Sequence, residues 1–219
     1  MMLRLLMIDD HPGMIEGYKA MLSINKEYKI EFTEAYNCEE AYSIITNPKN
    51  TNAFDLIFLD YSIPGFPEQK IENGQDLGVL IRKHIPEAKI IMLTAHFDAI
   101  RLFSVVKKIH PNGLLVKSDY KPPHLLDAFE KVLHGETYYT PIVFEKIKQP
   151  LFSQGLLDSL DRDIITLLAD GFQIKTIAFK MNVSEDTIKK RKSKIKDLLG
   201  IEKGNDEDIL KECRALGLL

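Results

Sequence analysis

With 219 residues, 45% hydrophobic and 28% charged, the chain has the composition of a soluble globular protein long enough for two domains. Its net charge of −3 excludes a uniformly basic nucleic-acid coat but leaves local basic patches open. Cys38 and Cys213, the only cysteines, are too few and too far apart for a metal cluster or disulfide framework, which fits a reduced, cytoplasmic setting.

The apolar start, Met-Met-Leu-Arg-Leu-Leu-Met-Ile, is too short to span a bilayer and runs straight into Asp9 and Asp10, with no small-residue cleavage site. A first strand is expected there, and no membrane attachment. Further apolar runs fall at 28–33, 54–59, 89–94 and 113–117, after the first at 3–8. Helix-like stretches alternate with them near 13–23, 38–46, 74–84, 97–109 and 122–134. Strands alternating with helices predict a doubly wound, five-stranded parallel sheet over residues 1–134. Asn37 with Glu40 three residues on has the spacing of a helix cap. Leu77, Leu80 and Ile81, and Leu102, Val105, Val106 and Ile109, form apolar stripes that read as core.

The polar residues closing the strands carry the chemistry. Strand one ends in Asp9-Asp10, strand three in Asp60, strand four in Thr94 and strand five in Lys117. In a right-handed doubly wound sheet these ends open onto one edge, so three carboxylates, a hydroxyl and an ammonium converge. Taken singly, each could be a turn former or surface charge. Three clustered acids repel unless they share a cation, and a hard divalent ion such as Mg²⁺ with oxygen ligands meets that need.

These motifs resemble response-regulator receiver domains: Asp-Asp-His-Pro at 9–12 with Gly17, Leu-Asp-Tyr-Ser-Ile-Pro at 59–64, Leu-Thr-Ala at 93–95 and Val-Lys-Ser at 116–118. The opening is typical of the NarL/FixJ subfamily. The resemblance implies a flavodoxin-like receiver in which Asp60 accepts a phosphoryl group from a histidine kinase. It also implies Mg²⁺ held by Asp10, Asp60 and the Ser62 carbonyl, with Asp9 acting through water. Thr94 and Lys117 would engage the phosphoryl oxygens. Two departures stand out. Leu114 occupies the place of the family's switch aromatic, and nine residues separate Pro64 from Gly74 where the family has a shorter Pro-x-x-x-Gly spacing. The 65–73 insertion is open to two readings, neutral decoration or a lid on the site.

Residues 135–154 read as a partly helical linker with the domain boundary near 150, and 155–219 as an all-α domain. Helix patterns at 160–169 and 174–181, an Asn182-Val183 turn, and a third helix capped by Ser184 compose a helix-turn-helix. The third helix carries Lys189, Lys190, Arg191, Lys192, Lys194 and Lys196 with no acid between Thr187 and Lys196, a run expected to need phosphates to relieve its repulsion. The stretch 157–201 also resembles the LuxR-type helix-turn-helix. By that likeness Lys189, Lys190 and Ser193 would face the major groove while Lys175 and Thr187 approach phosphates. Lys194 joins them as a candidate DNA contact. A last helix capped by Asn205, with Ile209, Cys213 and Leu216 on its apolar side, would either pair two copies on DNA or pack on its own domain.

The expected function is that of a two-component transcription factor. Phosphorylation of Asp60 by a sensor histidine kinase would control dimerisation and DNA binding, with no enzymatic activity beyond self-dephosphorylation. One alternative is a DNA-binding regulator that ignores phosphorylation and uses its receiver only to dimerise, suggested by Leu114. Another is an Mg²⁺-dependent phosphatase with an Asp nucleophile, in which the basic helix has no role.

Overall fold

Runs of Leu, Ile, Val, Met and Phe buried on both faces make strands that only a helix-covered parallel sheet can accommodate. In the computed structural model, which describes residues 2–25, 27–50, 53–95, 98–119, 121–153, 156–201, 204–216 and 218–219, those runs become β1 (Met2–Ile8), β3 (Leu56–Asp60), β4 (Lys89–Thr94) and β5 (Gly113–Val116), while β2 (Lys29–Ala35), mixed polar and apolar with only Ala35 buried, lies at the sheet edge. Positions 97 and 155, where the fourth helix and the second domain were expected to begin, lie outside the described residues.

Between and after these strands, up to residue 134, come α1 (Pro12–Leu22), α2 (Cys38–Ile45), α3 (Gly74–His84), α4 (Ala99–Ile109) and α5 (Pro122–Leu133). The five expected strands are joined by a sixth, β6 (Tyr138–Tyr139), inside the stretch read as linker; two residues are too few to show a period. All neighbours pair in parallel, in the order β2-β1-β3-β4-β5-β6. α6 (Pro141–Ser153) follows β6, then α7 (Ser159–Ala169), α8 (Ile174–Met181), α9 (Glu185–Leu199) and α10 (Asp206–Ala215). Two compact units result, one of Met1–Phe97 with Lys108–Val143 and one of Asp98–Lys107 with Phe144–Leu219. The first therefore runs past residue 134.

On one face of the sheet, Leu5, Met7, Phe58, Ile91, Leu93 and Leu115 pack with Ile15, Tyr18 and Leu22 of α1 and Leu125, Phe129 and Val132 of α5. Asn37 caps α2 as its spacing implied, its side chain accepting from the Glu40 amide at 2.8 Å. Leu114 is fully buried on β5, and its register partner on β6 is Tyr139, whose hydroxyl donates to the Pro111 carbonyl at 3.1 Å. An aromatic thus stands one strand across from the expected place rather than at 114.

The long loop after Pro64 is a small folded hairpin. Phe66 and Ile71 exchange backbone hydrogen bonds of 2.7 and 3.2 Å around a single turn of 3-10 helix, closed by Lys70 in the left-handed conformation (φ 56°). The Phe66 ring meets Tyr42 of α2 edge-on at 5.6 Å, and the Pro64 carbonyl accepts from the Cys38 amide. Beyond the hairpin, Asn73 caps α3, and Gly74 lies so close to β3 that a Cβ there would stand 1.9 Å from the Asp60 carbonyl oxygen.

The second unit buries Ile164, Ile165 and Leu168 of α7, Ile177 and Ala178 of α8, and Ile188, Ile195 and Leu199 of α9. Asn182 ends α8 in the left-handed conformation (φ 54°), and the Ser184 hydroxyl accepts from the Thr187 amide at 3.1 Å to start α9. Ile209 and Cys213 of α10 and Leu216 at its C-cap are buried, and the helix packs on α7 and α9. Its apolar side is therefore used within its own unit.

Substituting the two glycines Gly17 and Gly74 separates crowding from helix propensity. Gly74→Ala is expected to lower the thermal midpoint, an overpacking cost of about 1–3 kcal/mol. Gly17→Ala, in α1 with no atom of the described residues within 4 Å of the added methyl, is expected to raise it, a stabilisation of about 0.5–1 kcal/mol. Thermal unfolding followed by circular dichroism checks both signs.

Candidate functional site

Reversal of strand order between β1 and β3 opens a crevice at their carboxyl ends, where open α/β sheets bind ligands. Asp9 follows β1, its amide donating to the Ala35 carbonyl at 3.2 Å, and Asp60 is the last residue of β3. Thr94 closes β4 opposite Val116 of β5, and the Lys117 amide donates to the Thr94 carbonyl at 2.6 Å. Backbone pairing thus fixes each strand end before any side chain is considered.

The side chains meet as the strand-end pattern implied. Lys117 Nζ stands 2.9 Å from Asp9 Oδ2 and 2.9 Å from Asp60 Oδ2. Asp9, Asp60 and Thr94 are buried, while Asp10 is partly exposed. Burial pushes the Asp60 carboxyl above its ordinary value; the Lys117 hydrogen bond opposes this and the Asp9 charge adds to it. For Lys117, burial works to lower the pKa, but the hydrogen bonds to Asp9 and Asp60 prevail and hold it above the ordinary value. Ser62, whose carbonyl was an expected ligand, follows two residues after Asp60 with its side chain exposed.

One residue of the motif had received no role from sequence reasoning. His11 donates its amide to Asp9 Oδ1 at 3.0 Å, and its Nδ1 lies 2.7 Å from Asp10 Oδ1 and 3.2 Å from Asp9 Oδ1. Donor atoms of Asp9, Asp10, His11 and Asp60 all fall within 4.8 Å of one another, a grouping that fits a metal ion. Asp60 Oδ1 is buried with no hydrogen-bond partner among the described residues. Three carboxylates against one ammonium leave a formal excess of two negative charges, and an unpaired buried oxygen is costly. The donor set therefore suits a divalent cation.

The basic helix departs from its sequence reading. Of its six bases, Arg191 Nη1 contacts both oxygens of Asp158 (2.8 and 2.7 Å) and Asp161 Oδ1 (2.8 Å), while Lys194 Nζ contacts Asp161 Oδ2 at 2.7 Å. Lys192 pairs with Asp206, Lys196 donates to the Gly204 carbonyl, and Lys189 lies 3.5 Å from Asp186. The run is thus largely relieved inside the protein, and phosphates are not needed for that.

The acids were overlooked because they sit some thirty positions upstream and first serve another end. Asp158 and Asp161 form the capping box of α7, each accepting the other's amide, at 2.9 and 3.2 Å. Two like charges in one cap are tolerable because α9 supplies the cations. Arg191 above all, then the Asp161 amide, holds Asp158 down at about 2. Asp161 has no exposed surface. Lys190 is exposed and makes no ion pair among the described residues; Lys175, Lys189 and Ser193 are also exposed, and Thr187 is half-buried with its hydroxyl 2.9 Å from that of Ser184.

No described helix is long and apolar enough to cross a membrane. Comparison with known proteins agrees with the motif-based resemblance. The response regulator receiver domain family matches residues 5–130, more than half of the chain. The transcriptional regulatory protein MctR of Rhizobium johnstonii is 25% identical over 204 residues, covering 91% of this chain and 88% of MctR. RcsB of Escherichia coli K12 is 28% identical over 204 residues, covering 91% and 89%. A solved structure of RcsB from Salmonella enterica serovar Typhimurium, bound to promoter P1flhDC in the presence of the phosphomimetic BeF₃⁻, is 25% identical with a TM-score of 0.57 and 98% of each chain covered. The six-stranded α/β unit, the charged crevice at its β1–β3 switch point and the helical unit that follows are thus parts of one design: the chain belongs to the response regulators, with a receiver domain of that family at its amino-terminal end.

Proposed function

We propose that this response regulator is a transcription factor whose receiver is phosphorylated on Asp60 by a sensor histidine kinase, and whose α9 reads double-stranded DNA as one half of a homodimer. The observation that carries the proposal is the pairing of Lys117 with Asp9 and Asp60 around a buried Asp60 Oδ1 that has no hydrogen-bond partner among the described residues. That is a carboxylate nucleophile already flanked by its charge stabiliser.

Asp9, Asp10, Asp60 and the Ser62 carbonyl would hold Mg²⁺, whose contribution when bound is to neutralise charge on the phosphoryl oxygens. An Asp60 oxygen attacks phosphorus, and the bond to the donor imidazole breaks with its electron pair leaving on nitrogen. Lys117 already lies within contact of the acceptor carboxylate and pairs with the oxygens of the new acyl phosphate. The Thr94 hydroxyl donates to a third. Such transfer rests on positioning and charge more than on an acid or base. Added charge at Asp60 then biases dimerisation and DNA binding, a local electrostatic change with a distant readout. RcsB, similar along nearly the whole chain, binds promoter DNA in the presence of a phosphoryl mimic, which supports this reading.

On the DNA side the proposed contacts are Lys189, Lys190 and Ser193 in the major groove, with Lys175 and Thr187 at phosphates. Lys194 enters with its charge shared with buried Asp161. A reading in which DNA binding ignores phosphorylation draws on one observation, the buried Leu114 in place of a switch aromatic.

Incubation with acetyl phosphate and Mg²⁺ followed by intact-mass measurement is expected to show one added phosphoryl group, absent from Asp60→Asn. No adduct, together with unchanged DNA binding, selects the phosphorylation-independent regulator instead. Binding to a duplex at several salt concentrations separates the two kinds of base on α9. Lys190→Ala, which removes an exposed cation from the groove-facing side of α9, is expected to weaken binding and flatten its salt dependence. Lys194→Ala, which deprives a buried acid of a partner, is expected to lower the thermal midpoint by the equivalent of about 1–3 kcal/mol while leaving the slope nearer the parent value. Equal slope changes in the two variants would place Lys194 on the phosphates.

A further inference from the structure

The acidic crevice holds one donor that a magnesium site has no use for. Mg²⁺ takes oxygen ligands, whereas an imidazole nitrogen suits first-row transition ions such as Mn²⁺, Co²⁺ and Zn²⁺. His11 brings such a nitrogen to the carboxylates by its backbone. It stands in extended conformation (φ −108°, ψ 98°) immediately before α1, with Pro12 opening the helix and its own amide tied to Asp9 Oδ1. Nδ1 is thereby aimed at Asp9 and Asp10, while most of the ring remains in solvent, 65% exposed.

We infer that His11 Nδ1 is a metal ligand, and that with Asp9, Asp10 and Asp60 it gives the receiver a preference for a nitrogen-accepting divalent ion such as Mn²⁺ over Mg²⁺. The inference rests on the reading of the crevice as a cation site and adds to it a selectivity and the residue that sets it. Two observations support it independently. The four donor atoms lie within 4.8 Å of one another, and ligands on opposite sides of a metal at about 2.1 Å are separated by about 4.2 Å, so small adjustments close the shell. In addition, Asp60 Oδ1, on a side chain 2% exposed, has no hydrogen-bond partner among the described residues. Without an ion, Nδ1 hydrogen-bonds Asp9 Oδ1 and lies 2.7 Å from Asp10 Oδ1. With one, the ring would carry its proton on Nε2, freeing the Nδ1 lone pair for the metal, and the carboxylates would meet the cation instead of each other. The exposed side of the ring leaves further metal positions open to water or to a phosphoryl oxygen.

Pulsed electron paramagnetic resonance of the full chain loaded with Mn²⁺ tests this without any variant. Coupling to a ¹⁴N nucleus is expected, and its loss in His11→Ala assigns the nitrogen. Calorimetric titration of the same two proteins gives the selectivity. His11→Ala is expected to weaken Mn²⁺ binding at least about tenfold, the loss seen on removing even an outer partner of a metal ligand, with Mg²⁺ binding changed less than about twofold. Absence of nitrogen coupling in the parent protein, or equal weakening of both ions, overturns the role of His11 while leaving the crevice as a cation site. Binding of neither ion by the parent overturns the cation site itself.

Discussion

A single lysine sets the balance of the receiver. Lys117 stands equidistant from Asp9 and Asp60, so three strand ends that do not all neighbour one another are joined through one ammonium. Without it, two almost fully buried carboxylates would face each other in a low-dielectric crevice, an arrangement that normally forces a proton onto one of them. With it, the site is stable but incomplete. Asp60 remains pushed toward protonation, and its Oδ1 has no hydrogen-bond partner among the described residues. A fold that carries such a deficit is poised to gain from anything that brings positive charge, and to rearrange when a phosphoryl group brings more negative charge.

Charge in the second unit follows the opposite logic. Asp158 and Asp161 would repel in the α7 cap, and Arg191 and Lys194 would crowd α9, yet each set satisfies the other, while Lys192 pairs with Asp206. The buried Asp161 uses both oxygens on cations as well as bonding the Asp158 amide. Breaking such a buried pair is far more damaging than replacing it whole, so these contacts fix how α9 is seated against α7. What remains for a partner is the remainder of the helix, with Lys190 its clearest free cation among the described residues. A charge count along the sequence cannot make that distinction, because a cation already neutralised inside the domain reads the same as one waiting for a phosphate.

The sheet was legible because burial on both faces leaves unbroken apolar runs, and its polar strand ends were legible because each interrupts such a run at a fixed point. Asp9, Asp60, Thr94 and Lys117 all lie where that reasoning put them. Caps at Asn37, Ser184 and Asn205 were visible too, being encoded within three residues. Features that depend on distant partners were not. β6 is only two residues long and is defined by its pairing with β5, and the hairpin at 66–71 is defined by its bridge and by Tyr42. The acids that compensate α9 sit at 158 and 161, visible in the chain but reserved in any local reading for a helix cap. His11 lay in plain view within the opening motif, and its proposed role depends on which way an exposed ring points.

Backbone hydrogen bonds decide how far the crevice can relax when its charge changes. Tyr61 donates to the Leu93 carbonyl, Gly74 to the Tyr61 carbonyl and Lys117 to the Thr94 carbonyl, so β3, β4, β5 and the start of α3 are pinned within a residue or two of the acids. Gly74 adds a steric stop, since its Cα sits against the Asp60 carbonyl with no room for a methyl. Retreat of the strand ends would break these bonds in a buried setting, at about 1–3 kcal/mol for each group left unsatisfied. Side chains that exchange one partner for another bear no such penalty. The hydroxyl of Thr94, the four-carbon arm of Lys117 and the ring of His11 are what can move around a fixed frame. The cheapest response of this receiver to a new charge at Asp60 is therefore a change of side-chain partners.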